Sequence, residues 1–243
     1  MRIDAYLSQS GELRSRTEAK GYIEKGLVTV NGKLVLKPSY DVSPDDEVVV
    51  DKTGTKYVSR GGFKLEGALN YFGISPLGRR AIDIGASSGG FTDCLLKNGA
   101  KSVIAVDSGT NQLVSDLRND ERVTVMENYN ARYMKLTDFD CAPDFAVMDV
   151  SFISATLIIP ALHEVLLDGS DFICLIKPQF EVGREHIGKG GIVKDESVRR
   201  MAIERVCSSA IASGFEHVGT TVSSITGGDG NVEYLAYFRN RKK

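Results

Sequence analysis

Apolar positions follow two different rhythms along the chain. Over residues 1–51 they are brief and interrupted. "SRTEAKGYIEKG" sets Ala19, Tyr22 and Ile23 at helical spacing behind Ser15, with Glu18 three residues on as a capping box and Gly26 as the stop. "LVTV", the pair Asn31-Gly32 and "KLVL" then predict a hairpin, and "EVVVD" a further strand. These elements make a small α+β module. The polar, glycine-containing residues 52–61 read as a linker. From residue 62 to 243 apolar runs of strand length alternate with helical segments. They predict helices over 62–73, 90–98, 111–118, 154–167 and 195–213, and strands over 80–84, 102–107, 122–126, 144–149, 171–177, 216–224 and 232–238. Such alternation implies α/β architecture, a doubly wound and mostly parallel sheet with helices on both faces. The last two strands have no helix between them and should form an antiparallel pair at one end.

Composition narrows the class. The chain has 243 residues, 42% hydrophobic and 26% charged, ordinary for a globular protein. No apolar run reaches the length of a membrane span and the N-terminus lacks a signal-peptide core, so the sequence reads as cytoplasmic and not membrane-bound. Cys94, Cys141, Cys174 and Cys207 form no CxxC pair and read as small core residues, and His163, His186 and His217 have no ligand spacing; no metal site is expected. The net charge of −2 is unevenly spread. Arg2, Arg14, Arg16, Lys20, Lys25 and Lys33 lie in the N-terminal module, and Arg60 lies in the basic stretch after it. Local positive charge of this kind suits a phosphate backbone.

Two strand ends carry candidate chemistry. In "DFICLIKPQFE" a run apolar enough to be buried stops at Lys177, followed by a proline. An unpaired buried ammonium is costly, so this lysine either reaches water or is held by carboxylates. The first strand of the large domain ends in "DIGASSGGF", where Gly85, Gly89 and Gly90 permit a tight turn ahead of a helix N-terminus. Ligands of doubly wound sheets bind at such strand ends. The spacing GxxxGG departs from the dinucleotide fingerprint GxGxxG. Asp107, 22 residues past Gly85, ends the second strand where an acidic side chain would accept from ribose hydroxyls, and Asp83 precedes the turn.

Two resemblances join these signals. "RTEAKGYIEKGLVTVNGK" resembles the S-four RNA-binding module, which presents basic residues to structured RNA. "DIGASSGGFTDCLL", "VDSGTNQL", "ENYNAR", "MDVSFIS", "LIKPQFE" and "GNVEYLAYF" occur in the order seen in the TlyA (hemolysin A) family, whose catalytic half is similar to FtsJ-like ribose 2′-O-methyltransferases of ribosomal RNA. The likeness covers nearly the whole chain. It implies a Rossmann-like methyltransferase sheet of seven strands, the number predicted above. It also implies S-adenosylmethionine held by Asp83, Gly85, Ala86, Ser87, Gly89, Gly90, Phe91, Asp107 and Asn130, and a catalytic tetrad of Lys64, Asp149, Lys177 and Glu233. Lys177 would then point into a pocket where Asp149 and Glu233 offset its charge, with Lys64 nearby.

The chemistry suits these residue types. A sulfonium cofactor already carries its leaving group, so the protein must align a ribose oxygen and help remove its proton. Lys177 is expected to act as base, with Asp149 and Glu233 orienting the lysine heads and the ribose. A base N-methyltransferase would carry an Asn/Asp-Pro-Pro-aromatic segment where this chain has "DVSF", and a ring-carbon methylase would need a Pro-Cys pair that is absent. A non-catalytic ribosome-assembly factor on the same fold is the alternative, and a membrane-lysing hemolysin a more distant one. "EVGREHIGKGGIVKDE" reads as a loop able to close on RNA. The short termini resemble family members restricted to large-subunit RNA, and the target base is expected to be cytidine.

Overall fold

The computed structural model describes residues 1–13, 15–24, 26–51, 56–227 and 230–242. The chain divides into two compact units, Met1–Arg60 and Gly61–Lys243.

In the first unit α1 (Ile3–Gln9) and α2 (Arg16–Glu24) accompany β1 (Val28–Val30), β2 (Lys33–Leu34) and β3 (Val48–Val50), which form an antiparallel sheet in the order β2-β1-β3. The Ser15 hydroxyl caps α2 by accepting from the Glu18 N–H at 3.1 Å. Asn31 and Gly32 take φ of 50° and 71°, the left-handed pair that matches hairpin twist. Their turn is fixed from outside, because the Asn31 amide donates to Asp46 and its carbonyl accepts from the Glu47 N–H. Ile3, Leu7, Ala19, Ile23, Val28 and Val30 are buried together. Helix α1 was not expected from the sequence: its seven residues offer only the pair Ile3 and Leu7 as a stripe, too little for periodicity to register.

The second unit contains α3 (Gly61–Phe72), β4 (Arg80–Ile84), α4 (Gly90–Lys97), β5 (Ser102–Val106), α5 (Ser115–Arg118), β6 (Val123–Met126), β7 (Phe145–Met148), α6 (Ile159–Val165), β8 (Asp171–Ile176), α7 (Pro178–Glu181), α8 (Glu196–Ala212), β9 (Phe215–Val222) and β10 (Tyr234–Asn240). Its sheet has seven strands in the order β6-β5-β4-β7-β8-β10-β9. Strands β4 to β8 run parallel, and β10 pairs antiparallel with both β8 and β9, as the helix-free connection implied. Every residue of β7 is buried, and every residue of β8 after Asp171, which is why these strands read as unbroken apolar runs.

Three expectations need correction. The helix over 111–118 shrinks to α5, because the N–H groups of Asn111, Gln112 and Leu113 turn to the Glu127 carboxylate instead of a helical ladder. The helix over 154–167 is a 3₁₀ turn at Ala155–Leu157 followed by α6, with Pro160 at the start of α6 unable to continue an incoming ladder. Cys141 is exposed, while Cys94, Cys174 and Cys207 are buried. No described helix is long and apolar enough to cross a membrane.

Candidate active site

The sheet reverses its winding between β4 and β7: from β4 the chain proceeds outward to β5 and β6, and then crosses to β7 on the other side. The exits of these two strands nearly touch. Gly85 has φ +82°, and a Cβ there would lie 2.4 Å from the Asp149 carbonyl oxygen, so only glycine permits the approach. A cleft of about 470 Å³ opens at this point. Gly85 and Ser87 line it from β4, Asp107, Ser108, Gly109 and Gln112 from β5, Tyr129 and Asn130 from β6, and Asp149 to Ile153 from β7.

The predicted cofactor residues divide into those that face this space and those behind it. Gly85, Ser87, Asp107 and Asn130 line the cleft. Asp107 accepts from the backbone N–H groups of Ser87 at 2.8 Å and Gly109 at 2.7 Å, which ties the β4 and β5 exits together. Asn130 caps the following 3₁₀ turn by accepting from the Arg132 N–H. Ala86, Gly89, Gly90 and Phe91 are buried and do not line the cleft; they shape the turn and the start of α4 behind it. Asp83 is also enclosed. Its Oδ2 accepts from the Thr92 hydroxyl at 2.6 Å, while Oδ1 is buried with no hydrogen-bond partner. Burial pushes the Asp83 carboxyl up to about 7, against the Thr92 hydrogen bond and with help from the nearby Asp149.

Sequence reasoning missed part of the lining. Gln112, Tyr129, Ser151 and Phe152 face the cleft, and Glu127 organises it from outside by accepting from three consecutive backbone N–H groups and from Arg118. Desolvation opposes ionisation of Glu127, but those donors prevail and hold its carboxyl down at about 2. The segments "ENYNAR" and "MDVSFIS" contained four of these residues, Glu127, Tyr129, Ser151 and Phe152, yet nothing in their spacing distinguished them from loop residues.

The four charged residues predicted as a tetrad meet the edge beside this cleft as two ion pairs. Tyr234 of β10 lies opposite Ile176 of β8, and Met148 of β7 opposite Cys174, so Asp149, Lys177 and Glu233 emerge at one end of three adjacent strands. The Lys177 ammonium sits 2.6 Å from Asp149 Oδ1 and donates to the Ser151 hydroxyl at 2.7 Å. The contact with Oδ1 is a close ion pair, and that oxygen is itself enclosed. The Lys64 ammonium, from α3, donates to Glu233 at 2.5 Å, with both side chains nearly enclosed at 10% and 3% exposure. Glu233 therefore offsets Lys64 rather than Lys177, contrary to the expectation from sequence; the partner of Lys177 is Asp149 with Ser151. This also explains the Lys-Pro junction: the lysine head turns into the ion pair, and Pro178 opens α7, where its missing N–H is not needed.

In the first unit, Arg2, Arg16, Lys20 and Lys33 are exposed. Arg2 and Arg16 both reach Asp4, whose side chain has 0% exposure, while the guanidinium side chains remain 49% and 55% exposed. The hydrogen bond from Arg2, backed by Arg16, holds the Asp4 carboxyl down at about 2. Arg60 packs beside Gly26 and is only partly exposed. Arg14 and Lys25 lie outside the described residues.

Comparison with known proteins assigns the family. The family model of FtsJ-like methyltransferases matches residues 57–240, and that of the S4 domain matches residues 1–48. The chain belongs to the FtsJ-like methyltransferase family. Among FtsJ-like relatives, "Hemolysin A" of Brachyspira hyodysenteriae is 46% identical, with 98% of this chain and 99% of that protein covered. "16S/23S rRNA (cytidine-2'-O)-methyltransferase TlyA" of Mycobacterium tuberculosis is 42% identical over 99% of this chain and 90% of that one. The solved structure of a "Putative hemolysin" from Streptococcus thermophilus, 46% identical, covers 100% of this chain and 89% of its own with a TM-score of 0.80. The fold is also shared, over 75% of this chain, with a "putative S-adenosylmethionine dependent methyltransferase" from Listeria monocytogenes, at 12% identity and a TM-score of 0.56.

Proposed function

We propose that this FtsJ-like protein transfers a methyl group from S-adenosylmethionine to a ribose 2′-hydroxyl, of cytidine, in ribosomal RNA. The observation that carries the reading is the convergence of Asp149, Lys177 and Glu233 on one edge of the sheet, with Lys64 paired to Glu233, beside a cleft that Asp149 itself lines. The residues present fit the cofactor. Gly85 keeps the cleft floor free of a side chain, Asp107 stands at the β5 exit as a ribose acceptor, and the unpartnered Oδ1 of Asp83 awaits a donor. Bound there, the cofactor supplies an electrophilic methyl carbon on a good leaving group.

The protein's own contribution is alignment and proton removal. Lys177 has its head fixed by Asp149 and Ser151, and once its ammonium has released a proton to solvent the neutral amine receives the proton of the attacking hydroxyl. Asp149, which lines the cleft, keeps the Lys177 head at its edge, where that hydroxyl must be set. The enclosed Lys64–Glu233 pair gives the edge a fixed wall against which the ribose is set. Phe152, 93% exposed at the cleft, offers an apolar face to a base. The basic face of the first unit docks the RNA through its phosphates, and the large subunit is the favoured target. The alternatives, an assembly factor without catalysis and a lytic protein, use none of the charged edge.

Transfer of labelled methyl to separated ribosomal subunits and to naked RNA, followed by nuclease digestion and mass analysis, tests the reading. 2′-O-methylcytidine in large-subunit RNA is the expected product. A methylated base, or no incorporation by protein that binds S-adenosylmethionine, would overturn it.

A further inference from the structure

The short helix α7 begins one residue after Lys177, and its side chains reach the same loop that Lys177 does. Lys177 holds Asp149 and Ser151. Three residues on, the Phe180 ring lies 5.1 Å from that of Phe152. At the end of α7, Glu181 accepts from the Ser154 hydroxyl at 2.5 Å and from the Ala155 N–H at 2.8 Å. Three residues within a five-residue segment, Lys177, Phe180 and Glu181, thus grip loop 149–155 at its beginning, middle and end. Glu181 is 4% exposed, and burial pushes its carboxyl up, opposed by the bonds from Ser154 and Ala155. The tetrad makes no use of this acid.

The gripped loop has reason to move if released. Phe152 sits at φ +63°, a left-handed conformation that a bulky residue rarely adopts and that surroundings must impose. The same loop supplies Asp149 to the ion pair and Val150, Ser151, Phe152 and Ile153 to the cleft. A buried carboxylate accepting both a hydroxyl and a backbone N–H fixes that backbone better than packing alone. The far side of α7 is itself anchored, because Arg205 of α8 donates to the Glu181 carbonyl at 2.9 Å.

We propose that α7 is a clasp, in which Glu181, with Phe180, is a positioning residue that holds the β7 exit loop in the geometry Asp149 and the cleft require. The proposal rests on the methyl-transfer reading for its kinetic consequence, but its structural half stands apart. Glu181→Ala should lower kcat at least tenfold per cofactor-binding molecule while KM for RNA changes less than twofold. Glu181→Gln should recover kcat to within about threefold, since the amide oxygen still accepts from Ala155 and its NH₂ can donate to Ser154. Ser154→Ala, which removes the hydroxyl bond to Glu181 together with the Ser154 contacts to Thr156 and keeps the Ala155 bond, should fall between, and serves if Glu181→Ala does not fold. Hydrogen exchange of the 150–156 amides, read in the same variants, should accelerate in Glu181→Ala and return in Glu181→Gln. Unchanged exchange in that segment, or a wild-type kcat per cofactor-binding molecule in Glu181→Ala, overturns the clasp. Were the wild type to make no 2′-O-methyl product, the methyl-transfer reading would fail while exchange still decided the clasp.

Discussion

The Asp4 cluster of the first unit and the predicted tetrad of the second place charge in opposite ways. In the first, the anion is inside and the cations outside: Asp4 is fully enclosed, and the arginines that neutralise it stay about half exposed. In the second, the cations are drawn inward with their carboxylates: the Lys64 side chain is 10% exposed and that of Lys177 12%. An exposed guanidinium oriented from beneath by a buried carboxylate remains available to a polyanion, and its own hydrogen bonds to the anchor fix its direction. A lysine enclosed with its carboxylate is of little use to a passing phosphate. It presents one nitrogen, in one position, to whatever occupies the neighbouring cleft. On the proposed reading, pairing of a cation with a carboxylate therefore makes a docking surface in one unit and a reaction centre in the other, according to whether the cation is exposed or enclosed.

The largest effect should come from removing the inward cation paired with Asp149 beside the cleft. Lys177→Ala is expected to reduce methyl transfer by at least about a thousandfold, the scale of losing a positioned proton acceptor together with the alignment it gives Asp149. Binding of S-adenosylmethionine, measured by calorimetry, should change little, because Lys177 is absent from the cleft lining. Normal turnover would remove Lys177 from the reaction and with it the contrast between the units. Lys64 is a control of a different kind, since its enclosed pair with Glu233 leaves a buried charge when either is truncated, at a cost of about 3–5 kcal/mol in folding.

The outward cations should behave as a population. Lys20→Glu combined with Lys33→Glu changes two exposed side chains that take no part in the Asp4 cluster. RNA affinity should fall roughly tenfold or more at moderate salt. The slope of log affinity against log salt should flatten by about one to two, as expected for up to two lost phosphate contacts. Methyl transfer at saturating RNA should be untouched. An unchanged salt slope would mean that this face does not meet the phosphates.

How much of this was legible beforehand depended on the kind of signal. Long elements such as β8 and α8 appeared in the sequence nearly as they are, because an unbroken apolar run reads as a buried strand and a helix of 17 residues is long enough to show between its flanking polar and glycine breaks. α1 was not legible, being two anchors long, and the segment after Gly109 misled because Glu127, 14 to 16 residues away, takes up the N–H groups that a helix would have used. The tetrad members were found through family resemblance, and the register of β7, β8 and β10 explains why such distant residues meet. Their pairing was not legible: one charge of each sign on each side permits two arrangements, and only the path of α3 decides that Lys64 takes Glu233. Glu181 and Phe152 were hidden for a related reason, since a buried acid and an exposed aromatic each contradict the average behaviour of their residue type.

Asp83 gives the smallest effect and the finest test, because it is a fully buried acid with no ion-pair partner among the described residues. Its folded carboxyl stands at about 7 against an ordinary value near 3.8. Below the lower value both folded and unfolded chains are protonated there and nothing is lost. As pH rises from 3.8 toward 7 the unfolded chain releases this proton while the folded one keeps it, so stability falls across that window and stays reduced above it. Asp83→Asn keeps an acceptor for Thr92 and has no proton to lose. Without cofactor it should therefore melt higher than the wild type, with an advantage that grows from pH 5 to pH 8 and reaches several degrees. With S-adenosylmethionine present the order should narrow or reverse, because the unpartnered Oδ1 then gains the donor it lacks and the variant cannot offer an anion in return. If the cofactor raises the melting temperature of both proteins equally at pH 8, Asp83 serves only to hold α4 through Thr92, and the inward carboxylate belongs to the scaffold rather than to the cleft.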